Sequence, residues 1–199
     1  PVVRGGTQND DIFFQAAEAQ NNHFANIPAV VADYMKKISE HTGRNYAPFT
    51  YVGAPDAERI IIAMGSVTDT ITETINTLVK RGEKVGLIKV YLYRPFSVEF
   101  LKSVLPATVK KIAVLDRTKE QGAREPLFLD VVYALRDIKG LTIVGGRYGL
   151  SSKDTNPSHI NGLFEELKKD SPKEEFTIGI EDDVTNLSIE PVDITVDAD

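Results

Sequence analysis

Apolar residues recur along this chain in two rhythms. From Arg59 onward, short runs of branched and large side chains alternate with stretches in which apolar positions return every three or four residues. Arg59 to Met64, Lys84 to Tyr91, Ile112 to Leu115, Leu141 to Val144 and Glu175 to Ile180 read as short strands buried on both faces. Between them, Thr68 to Arg81 places Ile71, Thr74, Ile75, Leu78 and Val79 on one helical face and stops at Gly82. Ser97 caps a short helix carrying Val98, Phe100, Leu101 and Val104, a third helix starts at about Pro126, and a fourth starts at Thr155 or Asn156 with Pro157. This alternation predicts a three-layer α/β sandwich around a mainly parallel five-stranded sheet.

The first residues follow a different pattern. Up to Asn26 the chain is polar and rich in amides, with Phe13, Phe14 and Phe24 as anchors but no core of its own. Val30, Val31, Tyr34, Met35 and Ile38 then form one stripe, predicting a helix over Pro28 to His41 with Pro28 in its first turn and Gly43 as its stop. Asn45 to Pro55, with its prolines and aromatics, reads as an extended connection. The expected organisation is residues 1–50 as the tail of a preceding segment with one helix, 51–185 as the α/β domain, and 186–199 as a linker, favoured over an added edge strand.

Composition narrows the chemistry. A net charge of -6 and a pI near 5.2 come with no basic, aromatic-interleaved face, which argues against a nucleic-acid surface. No apolar run approaches the ~20 residues that cross a bilayer, and Pro1 to Gly6 lack the order of a signal peptide, so a cytoplasmic protein is expected. The cysteine count is zero, so these residues supply no disulfide, no cysteine nucleophile and no thiolate for an iron–sulfur cluster. His23, His41 and His159 show no ligand spacing.

In open parallel sheets ligands collect at the carboxyl ends of the strands, so the loops there are where chemistry is to be sought. Gly65-Ser66 offers backbone N–H groups before a helix, yet lacks a GxGxxG fingerprint and reads more simply as a tight turn. Asp116-Arg117-Thr118-Lys119-Glu120 has two readings: Arg117 and Lys119 hold an anionic group oriented by Asp116 or Glu120, or the loop is a solvated run of weak ion pairs. Gly145-Gly146-Arg147-Tyr148-Gly149 lets backbone approach a partner or ligand closely while Arg147 and Tyr148 reach sideways. Arg94, fixed before Pro95, is a further contact candidate, with a structural loop as its plainer reading. No nucleophile–base pair and no carboxylate pair in an apolar setting is readable.

Five ordered blocks, the first running from Tyr51 to Ser66, carry a family resemblance. Tyr51-Val52-Gly53-Ala54-Pro55-Asp56-Ala57, Ala63-Met64-Gly65-Ser66, Tyr93-Arg94-Pro95-Phe96-Ser97, Val114 to Glu120, Gly145 to Lys153 and Gly179 to Asn186 resemble the pyruvate:ferredoxin (flavodoxin) oxidoreductases over nearly the whole chain. Gln121 and Arg124-Glu125 depart from the family's loop. The resemblance implies an internal fragment: the family's second core domain, which is similar to the C-terminal domain of transketolases, preceded by the end of its first. It also implies a homodimeric parent that converts pyruvate and CoA to acetyl-CoA and carbon dioxide on thiamine diphosphate with magnesium, passing electrons through iron–sulfur clusters to ferredoxin or flavodoxin. The family's thiamine-binding GDG segment and cluster cysteines have no counterpart here. The fragment is therefore expected to hold no cofactor and no catalytic residue, with the remaining domains of the same chain as its partners. The alternatives are a free-standing nucleotide- or CoA-binding module using Gly65-Ser66 and Gly145-Gly146, and, on fold pattern alone, an autonomous transferase.

Overall fold

The computed structural model describes residues 6–196. They fall into two compact units: the residues up to Pro48 together with Leu92–Ser97, and Phe49–Tyr91 together with the chain from Val98 onward.

The first unit carries two helices. Asn9 caps α1 (Asp10–Ala19), its side-chain oxygen accepting from the Ile12 N–H at 3.0 Å, while Asp10 and Asp11 complement the positive end of the helix dipole. α2 (Asn21–Thr42) ends at Gly43, whose φ of 72° is one that glycine adopts without strain. The predicted stop is therefore correct and the predicted start is not. Pro28 lies inside α2 rather than in its first turn, the polar turns before it being helical without an apolar period to announce them.

The second unit is built on a six-stranded sheet, in the order β1-β3-β2-β4-β5-β6. β2 (Arg59–Ala63), β3 (Val85–Val90), β4 (Lys111–Asp116), β5 (Thr142–Arg147) and β6 (Glu175–Thr177) are parallel, and β1 (Phe49–Gly53) runs antiparallel to β3. β1 is the strand beyond the expected five. Its residues look like a connection in sequence because an edge strand needs no buried run, and only Phe49 among them is buried.

Helices cover both faces of this sheet. α3 (Val67–Lys80) packs against α6 (Pro157–Glu166) on one face, over Ile61, Ala63, Leu87, Ala113, Leu115 and Phe176. α4 (Val98–Val104) and α5 (Pro126–Leu135) pack together on the other. Ile60, Ile61 and Ile62 are fully buried, the mark of a strand covered on both sides, and each such side chain contributes roughly 1.5–3 kcal/mol. The mainly parallel α/β architecture expected from the alternation is what the chain adopts.

The stretch from Asn186, expected as a linker, does more than connect. Ile189 is buried in the core, and its N–H donates to the Thr177 carbonyl at 2.9 Å. Val192 donates to the Ser158 carbonyl at 3.0 Å and accepts from the Asn161 side-chain amide at 3.0 Å. Its alternation of apolar and acidic residues is that of a half-buried segment, with Ile189 and Ile194 turned toward the core.

Candidate functional site

From its carboxyl end β2 leads through α3 to β3 on one side, while its neighbour β4 leads through α5 to β5 on the other. The connections diverge between β2 and β4, and this opening at a topological switch point is where open α/β sheets bind ligands. Ser66, Arg117 and the loop after β5 meet around it.

The charged residues of this end sort into two sets. The first is built into the scaffold. The Asp116 carboxylate, at the last position of β4, accepts from the N–H groups of Leu127 and Phe128, each at 3.1 Å, and so satisfies the start of α5 from a neighbouring strand. Burial pushes the Asp116 carboxyl above its usual range, against the opposing pull of those two N–H groups, and the Glu125 and Asp130 charges push the same way as burial. Arg147, paired in register with Asp116, meets Glu125 at 3.2 Å, their side chains 6% and 1% exposed. Gly145 and Gly146 serve the same internal purpose. A Cβ on Gly145 would lie 2.7 Å from the Phe128 ring and one on Gly146 2.0 Å from the Phe176 ring, so what approaches this backbone is the protein's own aromatics on opposite faces of the sheet.

The second set faces solvent. Arg117 is held at its base by a bond from Nε to the Gly149 carbonyl at 2.9 Å, with a longer contact of 3.4 Å to the Ser152 hydroxyl. Lys119 donates to the Glu120 carbonyl at 2.7 Å. The Tyr148 ring is buried against this loop, and burial raises its hydroxyl pKa, the Arg117 charge opposing the rise and that of Asp116 adding to it. The chain after β5 is unusual in its backbone: Gly149, Ser151 and Ser152 have φ of 62°, 50° and 61°, left-handed values that cost about 1 kcal/mol or more at each non-glycine position.

Two openings flank this loop, each of about 350 Å³. One is largely apolar, lined by Tyr148, Leu150, Ile178, Ile180 and Leu187 with Lys119 and Lys153 among its residues, and it includes Thr177, whose buried hydroxyl has no hydrogen-bond partner among the described residues. The other is polar, at the switch point, lined by Ser66, Thr70, Arg117, Ser152, Lys153 and Asp154 among others. Of the residues singled out in the sequence, Asp116, Arg117, Lys119, Gly145, Gly146, Arg147 and Tyr148 thus come together at one end of the sheet. Arg94 belongs to the first unit, where its guanidinium stacks 3.9 Å from the Tyr93 ring centroid and donates to the Tyr93 hydroxyl at 3.0 Å. Thr70, Ser152 and Lys153 were not singled out as site residues, because hydroxyls in a helix and in a loop carry no motif until the fold brings them together.

Among the described residues no group of three or more His, Cys, Asp or Glu side chains could hold a metal ion, and with no cysteine in the chain the donors for an iron–sulfur cluster are not in these residues. No helix among the described residues is long and apolar enough to cross a membrane.

An open, mainly parallel α/β sheet with its polar opening at the switch point defines the broad class, and comparison with known proteins narrows it. Residues 57–160, just over half of the chain, match the family described as pyruvate:ferredoxin oxidoreductase core domain II, and the chain belongs to that family. It is 52% identical over 199 residues to the pyruvate-flavodoxin oxidoreductase of Rhodospirillum rubrum, covering 95% of this chain and 17% of that protein. It is 54% identical over 192 residues to the pyruvate:ferredoxin oxidoreductase of Moorella thermoacetica, covering 96% of this chain and 16% of that one. The chain therefore spans about one sixth of the length of these relatives. Among solved structures, the 2-oxoglutarate:ferredoxin oxidoreductase of Magnetococcus marinus superposes with a TM-score of 0.46 at 22% identity, over 62% of this chain and 20% of that one.

Proposed function

We propose that this chain acts as a non-catalytic structural domain within a longer pyruvate:ferredoxin or pyruvate:flavodoxin oxidoreductase, which converts pyruvate and CoA to acetyl-CoA and carbon dioxide with transfer of electrons. The names and lengths of the relatives support this reading. The observation that carries the non-catalytic part is the commitment of the buried charges at the strand ends. Asp116 is spent on the first turn of α5 and Arg147 on Glu125, so neither is available to transfer a proton or polarise a substrate.

In this reading thiamine diphosphate with its magnesium, the iron–sulfur clusters and the CoA site belong to the remaining domains of the same polypeptide. Those domains are the chain's immediate partners. A homodimeric, cytoplasmic parent that reduces ferredoxin or flavodoxin completes the proposal, with the helices before Phe49 leading in from a preceding domain and the sheet unit from Phe49, including the packed segment through Ile194, as core domain II. The free-standing nucleotide- or CoA-binding module loses support at Gly145-Gly146, where the Phe128 and Phe176 rings take the space a ligand would need.

The test supplies the isolated chain with pyruvate, CoA, thiamine diphosphate, magnesium and an electron acceptor. No release of carbon dioxide is expected, and sustained release would overturn the assignment. The coding sequence on either side supplies the second check: it should run into cysteine-rich and GDG-containing segments.

A further inference from the structure

The polar opening at the switch point has the chemistry of an anion site that the proposed structural role does not use. Arg117 and Lys153 line it, and neither side chain is paired with a carboxylate among the described residues, although the chain as a whole carries a net charge of -6. Several other exposed cations of the second unit do find acids: Lys84 meets Asp56 at 2.9 Å, Lys110 meets Glu58 at 2.9 Å and Lys168 meets Glu165 at 2.6 Å. Around the two cations stand the side-chain hydroxyls of Ser66 and Thr70, which have no partner among the described residues, and that of Ser152, which the guanidinium only grazes at 3.4 Å. Asp154 also lines the opening, so the cations exceed the acids by one.

These donors discriminate between anions. A guanidinium held at Nε by the Gly149 carbonyl presents its remaining N–H groups in a fixed plane, which suits the paired oxygens of a phosphoryl group. Three hydroxyls and an ammonium arranged around it suit an anion with three or more acceptor oxygens better than a planar carboxylate with two. The opening, at about 350 Å³, is also larger than one carboxylate side chain requires. Tyr148, Gly149 and Lys153 line the apolar opening as well, which leaves space for an uncharged body next to the anion.

We propose that the β2–β4 switch point binds a phosphate monoester or diphosphate, its phosphoryl oxygens held by Arg117, Lys153 and the hydroxyls of Ser66, Thr70 and Ser152. This site is independent of whether the longer protein oxidises pyruvate, so its failure and the failure of that reading are told apart by separate measurements.

The test titrates the 199-residue chain with inorganic pyrophosphate at low ionic strength, read by calorimetry and by amide shifts. Saturable binding with a Kd below about 1 mM is expected, and Lys153→Gln should weaken it about tenfold, the equivalent of about 1.4 kcal/mol. Arg117→Gln should weaken it further, and Thr70→Val, which keeps the shape and removes the hydroxyl, about threefold. Because Arg117 also braces the Gly149 loop, Lys153→Gln and Thr70→Val are the deciding variants, with an unchanged thermal unfolding midpoint showing that the fold is intact. Shifts should centre on Ser66, Gly149 and Ser152. No saturation by about 10 mM, equal binding by Lys153→Gln, or acetate binding as tightly as pyrophosphate would each overturn the proposal, the last in favour of a protein carboxylate.

Discussion

At the scale of single residues, the two glycines and the arginine of Gly145-Gly146-Arg147 show how composition can be legible while its purpose is not. Three glycines in five positions announced a close approach, but what approaches is Phe128 from α5 and Phe176 from β6, each too distant in sequence for any local pattern to reveal. Arg147 looked like a reaching side chain and is instead buried against Glu125. Desolvation makes such a pair costly to break. Arg147→Met alone strands the Glu125 carboxylate in the interior and should destabilise the second unit by about 3–5 kcal/mol in urea unfolding. Pairing it with Glu125→Leu should recover most of that loss, since the uncompensated charge is removed. A double variant no more stable than the single one would mean that the pair does more than neutralise itself.

At the scale of elements, the helices and strands from Arg59 to Leu167 could be read because burial on two faces writes unbroken apolar runs and amphipathic stripes into the sequence. That signal is weak in β1 at an edge, in α2 upstream of Pro28 and in the segment after Asn186, where the structure departs from the expected elements. Helix starts are a more local matter, and α6 shows one with a pH dependence. Asn156 and His159 form a reciprocal cap, the His159 N–H donating to the Asn156 side chain at 3.1 Å and the Asn156 N–H donating to Nδ1 of His159 at 3.2 Å. That geometry needs a neutral imidazole. Burial and then the Lys153 charge hold the His159 pKa below its ordinary value, Glu181 opposing them. The unfolded chain therefore binds the proton at a higher pH than the folded one, and stability is lost as pH falls from the unfolded value of about 6.5 toward the folded one. His159→Ala, which removes the acceptor for the Asn156 N–H, should cost about 1 kcal/mol at pH 7.5. The gap to the unsubstituted chain should narrow by about pH 5, as followed by urea midpoints.

At the scale of the whole molecule, the site lies where a β-α-β order read from sequence says to look, at the strand ends, but the sequence could not say which loops share an opening. Strand order decides that. Only with β2 beside β4 do Ser66, Arg117 and Ser152 converge, and order is a long-range property that apolar rhythm leaves open. The same long-range packing sets where the second unit ends. The segment matching the family stops at residue 160, at the first buried position of α6. Leu163, Phe164 and Leu167, then Phe176 and finally Ile189, close the α3 face beyond it. A polypeptide trimmed to residues 57–160 should show no cooperative melting transition, whereas one spanning 49–196 should melt sharply. The hallmark by which relatives are recognised is thus shorter than the piece of chain that can hold itself together. Anyone excising this module by its signature would discard the lid of its own interior.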